Sequence, residues 1–192
     1  MARPTLSGRE PLLVTLKLAP HLASLRGARM FRRVLATLVE AKERLGTRIV
    51  QFSVQRDHVH LLVESASKSD LSRAMKGLAV RLARAVNREL GRTGAVLGDR
   101  YHARVLATPR QARNAIAYVL CNARKHGHAP NVRGWVDPCS SAGWFDGWIV
   151  SLAEGRVSTL VATARPRTWL LRIGWRRGGL LHPDHRPGVM PS

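Results

Sequence analysis

The chain has 192 residues, enough for one domain of ordinary size with an extension but too few for two full domains. Its 32 Lys and Arg against 12 Asp and Glu give a net charge of +20, which predicts a polyanionic partner and disfavours a nuclease built on acidic metal ligands. Two cysteines without CxxC spacing indicate a reducing compartment, and no apolar run reaches the ~20 residues of a membrane helix. We therefore expect a cytoplasmic protein without membrane contact.

The positive charge is distributed unevenly. Residues 1–129 hold 24 basic and 8 acidic residues, whereas residues 130–192 hold 8 and 4. An arginine-rich composition inherited from a GC-rich genome is the alternative to nucleic-acid binding, but the uneven distribution favours a nucleic-acid partner. We therefore predict a catalytic and binding domain over residues 1–129 and a C-terminal extension over residues 130–192.

The first half of the chain alternates between strand and helix patterns. Residues 12–19 alternate as a half-buried strand, and a helix follows over residues 28–45, which Gly46 ends. Residues 47–55 and 58–65 then form two strands joined by a short polar turn. This pair predicts an antiparallel hairpin.

A long basic helix is predicted for residues 69–90, with Ser69 or Asp70 as its N-cap and Gly91 as its stop. The apolar positions of one stripe are Leu71, Met75, Leu78, Leu82 and Val86. The cations around the other side are Arg73, Lys76, Arg81, Arg84 and Arg88. A solvated helix face is the ordinary interpretation, but five cations with only Glu89 to balance them favour a DNA-binding surface.

A fourth strand over residues 101–107 leads into a well-marked helix, with Thr108 as N-cap, Pro109 at the first helical position and Gly127 as stop. Its apolar face holds Ala112, Ile116, Val119, Leu120 and Ala123. The opposite face holds Gln111, Asn114, Tyr118, Asn122 and Lys125. The element order predicts an α+β fold, a ferredoxin-like antiparallel sheet with helices on one face plus an added helix that carries the tyrosine.

Two histidines and a tyrosine helix carry the candidate chemistry. His58 and His60 point to the same side of a strand and make half of a metal site. Tyr118 and Asn122, one helical turn apart, add a possible nucleophile and a possible third ligand. With so few carboxylates, any metal must be held mainly by histidine and amide. This set suits phosphodiester cleavage through a covalent tyrosine.

Each of these residues also has a simpler interpretation. A His-x-His pair alone fits metal binding and a surface position about equally; it also occurs in amidohydrolase barrels, which need about 250 residues. Tyr118 is favoured over Tyr101 because Tyr101 begins a strand, where packing is the more natural role. Glu64 either joins the metal shell or only ends its strand, so it is left out of the ligand set. His126 and His128 follow a helix end and cap it or touch phosphate.

The histidine pair, the basic helix and the segment from Tyr118 to Gly127 (YVLCNARKHG) together resemble the single-tyrosine HUH transposases. The resemblance is closest to the REP-associated tyrosine transposases of bacteria, and it covers about residues 10–150. The serine-rich stretch 140–144 is also similar to the segment that follows the tyrosine helix in that family. One departure is Ala123, where many relatives have proline.

The resemblance implies a transposase that cleaves and rejoins single-stranded DNA at ends marked by a hairpin. His58, His60 and Asn122 would hold one Mg²⁺ or Mn²⁺. Tyr118 would form a 5′-phosphotyrosine and leave a 3′-hydroxyl. Apart from the resemblance, a phenol with a pKa near ~10 needs a nearby cation to react at neutral pH. The metal is the first candidate and Lys125, seven positions from Tyr118 on the same helix face, is the second, although Lys125 could equally contact a phosphate. Both a monomer and a homodimer remain open.

Two other functions stay open at this point. One is a non-catalytic DNA- or RNA-binding protein derived from such a transposase. The other is a basic structural protein that binds RNA or the ribosome, which would need neither a metal nor Tyr118.

All five tryptophans fall between Trp135 and Trp175, which marks the extension as distinct. Tryptophan next to cations can stack on unpaired bases, but its large buried area makes docking onto the main domain the favoured role. The Pro/Gly-rich end from about Gly178 is predicted to be disordered.

Overall fold

The computed structural model describes residues 8–125, 127–152 and 160–188. In chain order the elements are β1 Leu12–Lys17, α1 Ala28–Ala41, β2 Glu43–Arg44, β3 Thr47–Val54, β4 His58–Ser65, α2 Lys68–Leu90, β5 His102–Val105, α3 Pro109–Lys125 and the short α4 Trp169–Arg172. Two 3-10 helices, Ser141–Trp144 and Gly174–Gly178, lie in the extension. No helix of the described residues is both long and apolar enough to cross a bilayer.

The five strands form one antiparallel sheet in the order β2-β3-β4-β1-β5. Strand β1 therefore lies between β4 and β5, although these two strands follow it much later in the sequence. The predicted α+β, ferredoxin-like sheet is confirmed. Antiparallel pairing fixes which side chains share a face, because directly opposed residues point the same way.

The two faces of the sheet carry two separate apolar clusters. On one face Leu12, Val14 and Leu16 of β1 pack with the buried stripes of α1 and α2. On the other face Leu13 and Leu62 pack against the apolar side of α3. The sheet thus separates the α1/α2 layer from the tyrosine helix.

The predicted boundaries of four elements are wrong in detail. Helix α1 ends at Ala41 rather than residue 45, because residues 43–44 pair with β3 through a turn in which Leu45 and Gly46 both have positive φ. Helix α2 begins earlier than predicted. Its N-cap is Ser67, whose hydroxyl accepts a hydrogen bond from the backbone N–H of Asp70. The strands β1 and β5 are also shorter than their alternating patterns.

The extension begins by completing the sheet edge. The backbone N–H of Val54 donates to Cys139, and the N–H of Phe52 donates to the hydroxyl of Ser141. The buried carboxylate of Asp137 forms a bidentate ion pair with the guanidinium of Arg26, with both N–O distances 2.8 Å. The serine-rich stretch is therefore structural, since it satisfies backbone donors that strand β3 would otherwise leave open.

The rest of the extension packs on the α3 side. Trp175 is 2 % exposed and lies in the cluster of α3, which fits the docking role expected for the tryptophans. Trp169, in contrast, is largely exposed beside Arg177. The predicted disorder from Gly178 is wrong for residues 178–188, because Leu181 is buried and Arg124 bonds to Pro183 and Asp184. The last four residues of that prediction lie outside the described ranges.

Candidate active site

The two histidines of β4 lie side by side on the face that α3 covers. Their ring centroids are 4.5 Å apart, with the rings at 72°. His60 is buried, whereas the side chain of His58 is 17 % exposed at the start of the strand. The period of the strand thus gives two imidazoles on one side, as predicted.

Each imidazole is oriented through its Nδ1 atom. His58 Nδ1 lies 2.8 Å from Asp57 Oδ1, and His60 Nδ1 lies 2.9 Å from Thr15 Oγ1. The hydrogen bond to His58 lowers the pKa of the Asp57 carboxyl, so this group is ionised and accepts from the ring. Donation from Nδ1 to the Asp57 carboxylate leaves Nε2 of His58 without that proton. The Thr15 hydroxyl can accept from Nδ1 of His60 in the same way or donate to it, and the first arrangement is the one that metal-binding histidines adopt.

Helix α3 brings Tyr118 to the same place. The ring centroid of Tyr118 is 5.0 Å from that of His60, at an interplanar angle of 66°. Ala115, Ile116 and Val119 anchor this part of the helix in the apolar cluster of the sheet. The predicted nucleophile and one predicted metal ligand are therefore in contact, although 58 positions of the sequence separate them.

Burial raises the pKa of the Tyr118 phenol above its usual value of 10. A phenol of this kind is a poorer nucleophile at neutral pH, because less of it is ionised. Lys125, one of the two cations considered for activation, has its Nζ 5.3 Å from the Tyr118 ring centroid. This cation therefore lies against the Tyr118 ring, while burial is the effect that shifts the pKa of the phenol.

Asn122 is placed differently from the prediction. Its side chain was assigned to the polar face of the helix, but it is fully buried. Neither its Oδ1 nor its Nδ2 has a hydrogen-bond partner within the described protein. An unsatisfied buried amide is costly, which makes it a candidate for a ligand-binding role.

Of the two ions that the resemblance implies, Mn²⁺ suits the donor atoms of these residues better than Mg²⁺. The described residues contain no group of three or more His, Cys, Asp or Glu that could hold a metal. A site here would consist of two imidazoles and the orphaned amide of Asn122, a nitrogen and oxygen set suited to a divalent ion of the first transition row.

The five predicted DNA-binding cations of α2 are not part of this site. Arg73, Lys76, Arg84 and Arg88 are exposed, and Arg81 is half-buried with Glu40 3.9 Å away. All five lie in the α1/α2 layer, on the far side of the sheet from His60. Glu89 pairs with Arg29 and Arg33 of α1, so it does not neutralise the α2 cations that it was expected to balance.

The structure also shows where Glu64 and His128 lie. Both oxygens of Glu64 accept hydrogen bonds from the backbone of Arg167 and Thr168, so this carboxylate holds the extension rather than the site. His128 lines a groove together with His58. His126 lies outside the described ranges.

The sequence reasoning missed two residues that orient the histidines. Asp57 directly precedes the pair, and an acidic neighbour is a signal that the sequence offers. Thr15 is 45 positions away from His60 and is found only through the strand register. Such partners hold the rings in place and belong to the candidate site.

Comparisons with known proteins agree with this architecture. The family described as "Transposase IS200 like" matches residues 24–118, about half of the chain. A solved REP-associated tyrosine transposase bound to a REP hairpin is similar at 17 % identity and a TM-score of 0.62, covering 88 % of this chain and 98 % of the other. A candidate transposase from Deinococcus radiodurans R1 matches at 16 % identity and a TM-score of 0.44, covering 67 % and 95 %. A comparison with curated proteins finds no match.

Proposed function

This chain belongs to the IS200-like transposase family, and from that premise we propose that it cleaves and rejoins single-stranded DNA through a covalent 5′-phosphotyrosine at Tyr118. The observation that carries the proposal is the contact between the Tyr118 and His60 rings, 5.0 Å apart. Elements distant in sequence bring the phenol of Tyr118 to the histidine pair. The family and fold favour a transposase, and this contact supports the tyrosine chemistry.

The reaction is a displacement at phosphorus. The Tyr118 oxygen forms a bond to the phosphorus while the bond to the 3′-oxygen breaks. The phenol gives up a proton and the leaving 3′-oxygen takes one up, so no net proton is consumed. The covalent link conserves the phosphodiester bond energy, and attack by a 3′-hydroxyl reverses the step without a nucleotide cofactor.

The protein groups in this proposal have distinct tasks. His58, His60 and Asn122 would hold a Mg²⁺ or Mn²⁺ ion, and Asp57 and Thr15 orient the two rings. An ion held by these three side chains would supply Lewis-acid chemistry at a phosphodiester oxygen. Lys125 favours the phenolate that burial disfavours.

The cations of α2 suggest how the rest of the DNA is held. They lie across the sheet from Tyr118, so they would bind DNA away from the cleaved bond. A hairpin stem is a fitting occupant, since the solved relative is described as bound to a REP hairpin. Replacing Arg84 and Arg88 by glutamine should make hairpin binding less sensitive to salt. The slope of log K against log salt concentration should become shallower by about 0.9 for each phosphate that is no longer neutralised. Arg133→Gln is the control and should leave that slope unchanged.

The decisive experiment tests covalent chemistry. Labelled single strands from the flanks of the gene are incubated with the protein and Mn²⁺ or chelator, and the products are separated on a denaturing gel. We expect a protein–DNA adduct that needs metal and that Tyr118→Phe abolishes. Tyr101→Phe is the matched control, because Tyr101 is the only other tyrosine of the chain and should leave the adduct unchanged. DNA binding without any adduct, across several flanks, would instead favour the non-catalytic binding protein.

A further inference from the structure

A groove of about 1010 Å³ opens beside His58. It lies where β1 ends and where β4 and β5 begin. The residues of its wall that can carry charge are Lys17, His21, Arg56, Asp57, His58, Asp99, His102 and His128. Its volume is at the upper end of the range of small-molecule sites, which is ~300–1,000 Å³. The groove can therefore hold more than the reacting phosphate alone.

Strand register aligns part of this wall with the candidate active site. Thr15 of β1 stands opposite His60 on one side and opposite His102 on the other. Lys17 stands opposite His58. Opposed residues share a face, so His102 and Lys17 extend from the histidine pair across the same surface. With strands ~4.8 Å apart, His102 lies about 10 Å from His60 across the sheet.

The groove offers one exposed cation and one exposed imidazole, Lys17 and His102. Lys17 and His102 are both exposed, and in the described part of the chain neither has a carboxylate at ion-pair distance. The two carboxylates of the wall are engaged. Asp57 bonds to His58, and Asp99 accepts from the backbone N–H of Arg100 at 2.6 Å. Lys17 and His102 can therefore contact phosphate oxygens.

The backbone beneath Lys17 is fixed by its neighbours. The carbonyl of Lys17 accepts a hydrogen bond from Gly98 at 3.1 Å, and the N–H of Leu18 donates to the carbonyl of Asp57 at 2.7 Å. A side chain added at Gly98 would meet the Leu18 carbonyl at 3.1 Å, so the chain approaches closely here. Lys17 therefore projects from a rigid strand end, as a binding residue should.

We propose that this groove binds the DNA strand that ends in the leaving 3′-oxygen, with Lys17 and His102 contacting its phosphates. This inference rests on the proposed function. In an in-line displacement the leaving oxygen departs away from the attacking one. Tyr118 stands over His60 and does not line the groove, which opens at His58.

The proposed reaction requires a site that retains the strand with the 3′-hydroxyl. After cleavage Tyr118 holds the 5′-phosphate covalently, but the strand with the 3′-hydroxyl has no covalent link to the protein. Rejoining requires that strand to stay or be replaced in the same position. Lys17 and His102 retain it.

The first test measures binding without chemistry. In the Tyr118→Phe protein, Lys17→Gln should weaken binding of a labelled single-stranded thymidine 12-mer about tenfold. Lys17→Arg should restore most of the affinity. Lys68→Gln is the matched control, since Lys68 is an exposed lysine at the opposite end of the sheet, and it should change binding less than twofold. Binding by Lys17→Gln equal to that of the control overturns the proposal.

The second test separates the groove from the chemistry. In the Tyr118-containing protein, Lys17→Gln should lower the fraction of cleaved DNA that is rejoined, with adduct accumulating. Unchanged rejoining would show that the groove does not hold the 3′-ended strand. An absence of adduct in the unmodified protein, together with weakened 12-mer binding in Lys17→Gln, would instead refute the proposed transposase chemistry while supporting the groove as a strand-binding site.

Discussion

Replacing Asn122 by leucine should stabilise the metal-free protein and weaken its response to metal. Leucine branches at the same carbon as asparagine but carries no polar atoms. Asn122 is fully buried, and both of its amide atoms lack a partner within the described protein. The substitution therefore removes a desolvation cost in the metal-free state, and it also removes the third ligand of the proposed site.

The magnitude follows from the cost of a buried, unsatisfied polar group, which is ~1–3 kcal/mol. We expect the free energy of unfolding in chelator to rise by about this amount. For a chain of this size each kcal/mol corresponds to about 2–4 °C in the melting temperature. A metal at 100 times its Kd stabilises the unmodified protein by about 2.7 kcal/mol, and Asn122→Leu should lose most of that gain.

Urea unfolding with chelator and with Mn²⁺ measures both effects. Asn114→Leu is the control, because Asn114 is exposed on the same helix and reports the helix propensity of leucine alone. The reasoning fails if Asn122→Leu is less stable than Asn114→Leu in chelator. It also fails if Asn122→Leu keeps the full stabilisation by Mn²⁺.

Three further results are expected. Burial raises the pKa of Tyr118 above 10. The phenolate absorbance that the unmodified protein gains on titration with base and that Tyr118→Phe lacks should therefore appear at a higher pH than that of a free phenol. The stability that the neutral phenol contributes is present below pH 10 and falls as pH rises through the raised pKa. Arg26→Met should cost about 3–5 kcal/mol in urea unfolding, because it leaves the Asp137 carboxylate buried without its partner. Glu64→Ala should speed proteolysis of the extension near Thr168 and leave the domain resistant, since three donors of that segment no longer have their acceptor.

The local patterns of the sequence were enough to predict the helices and strands and much of the candidate site. Alternation placed His58 and His60 on one side of a strand, and the helical repeat placed Tyr118 and Asn122 on neighbouring turns. These patterns reflect periods of two and 3.6 residues, which depend only on backbone geometry. The ferredoxin-like order of strands and helices could be read in the same way.

Other features depended on distant neighbours. The burial of Asn122, the bond from Thr15 to His60 and the separation of the α2 cations from Tyr118 all follow from how α2 and α3 take opposite faces of the sheet. Lys17 and His102 join the histidine pair only because β1 lies between β4 and β5. Periodicity tells which residues share a side of an element, but only tertiary packing decides what that side faces.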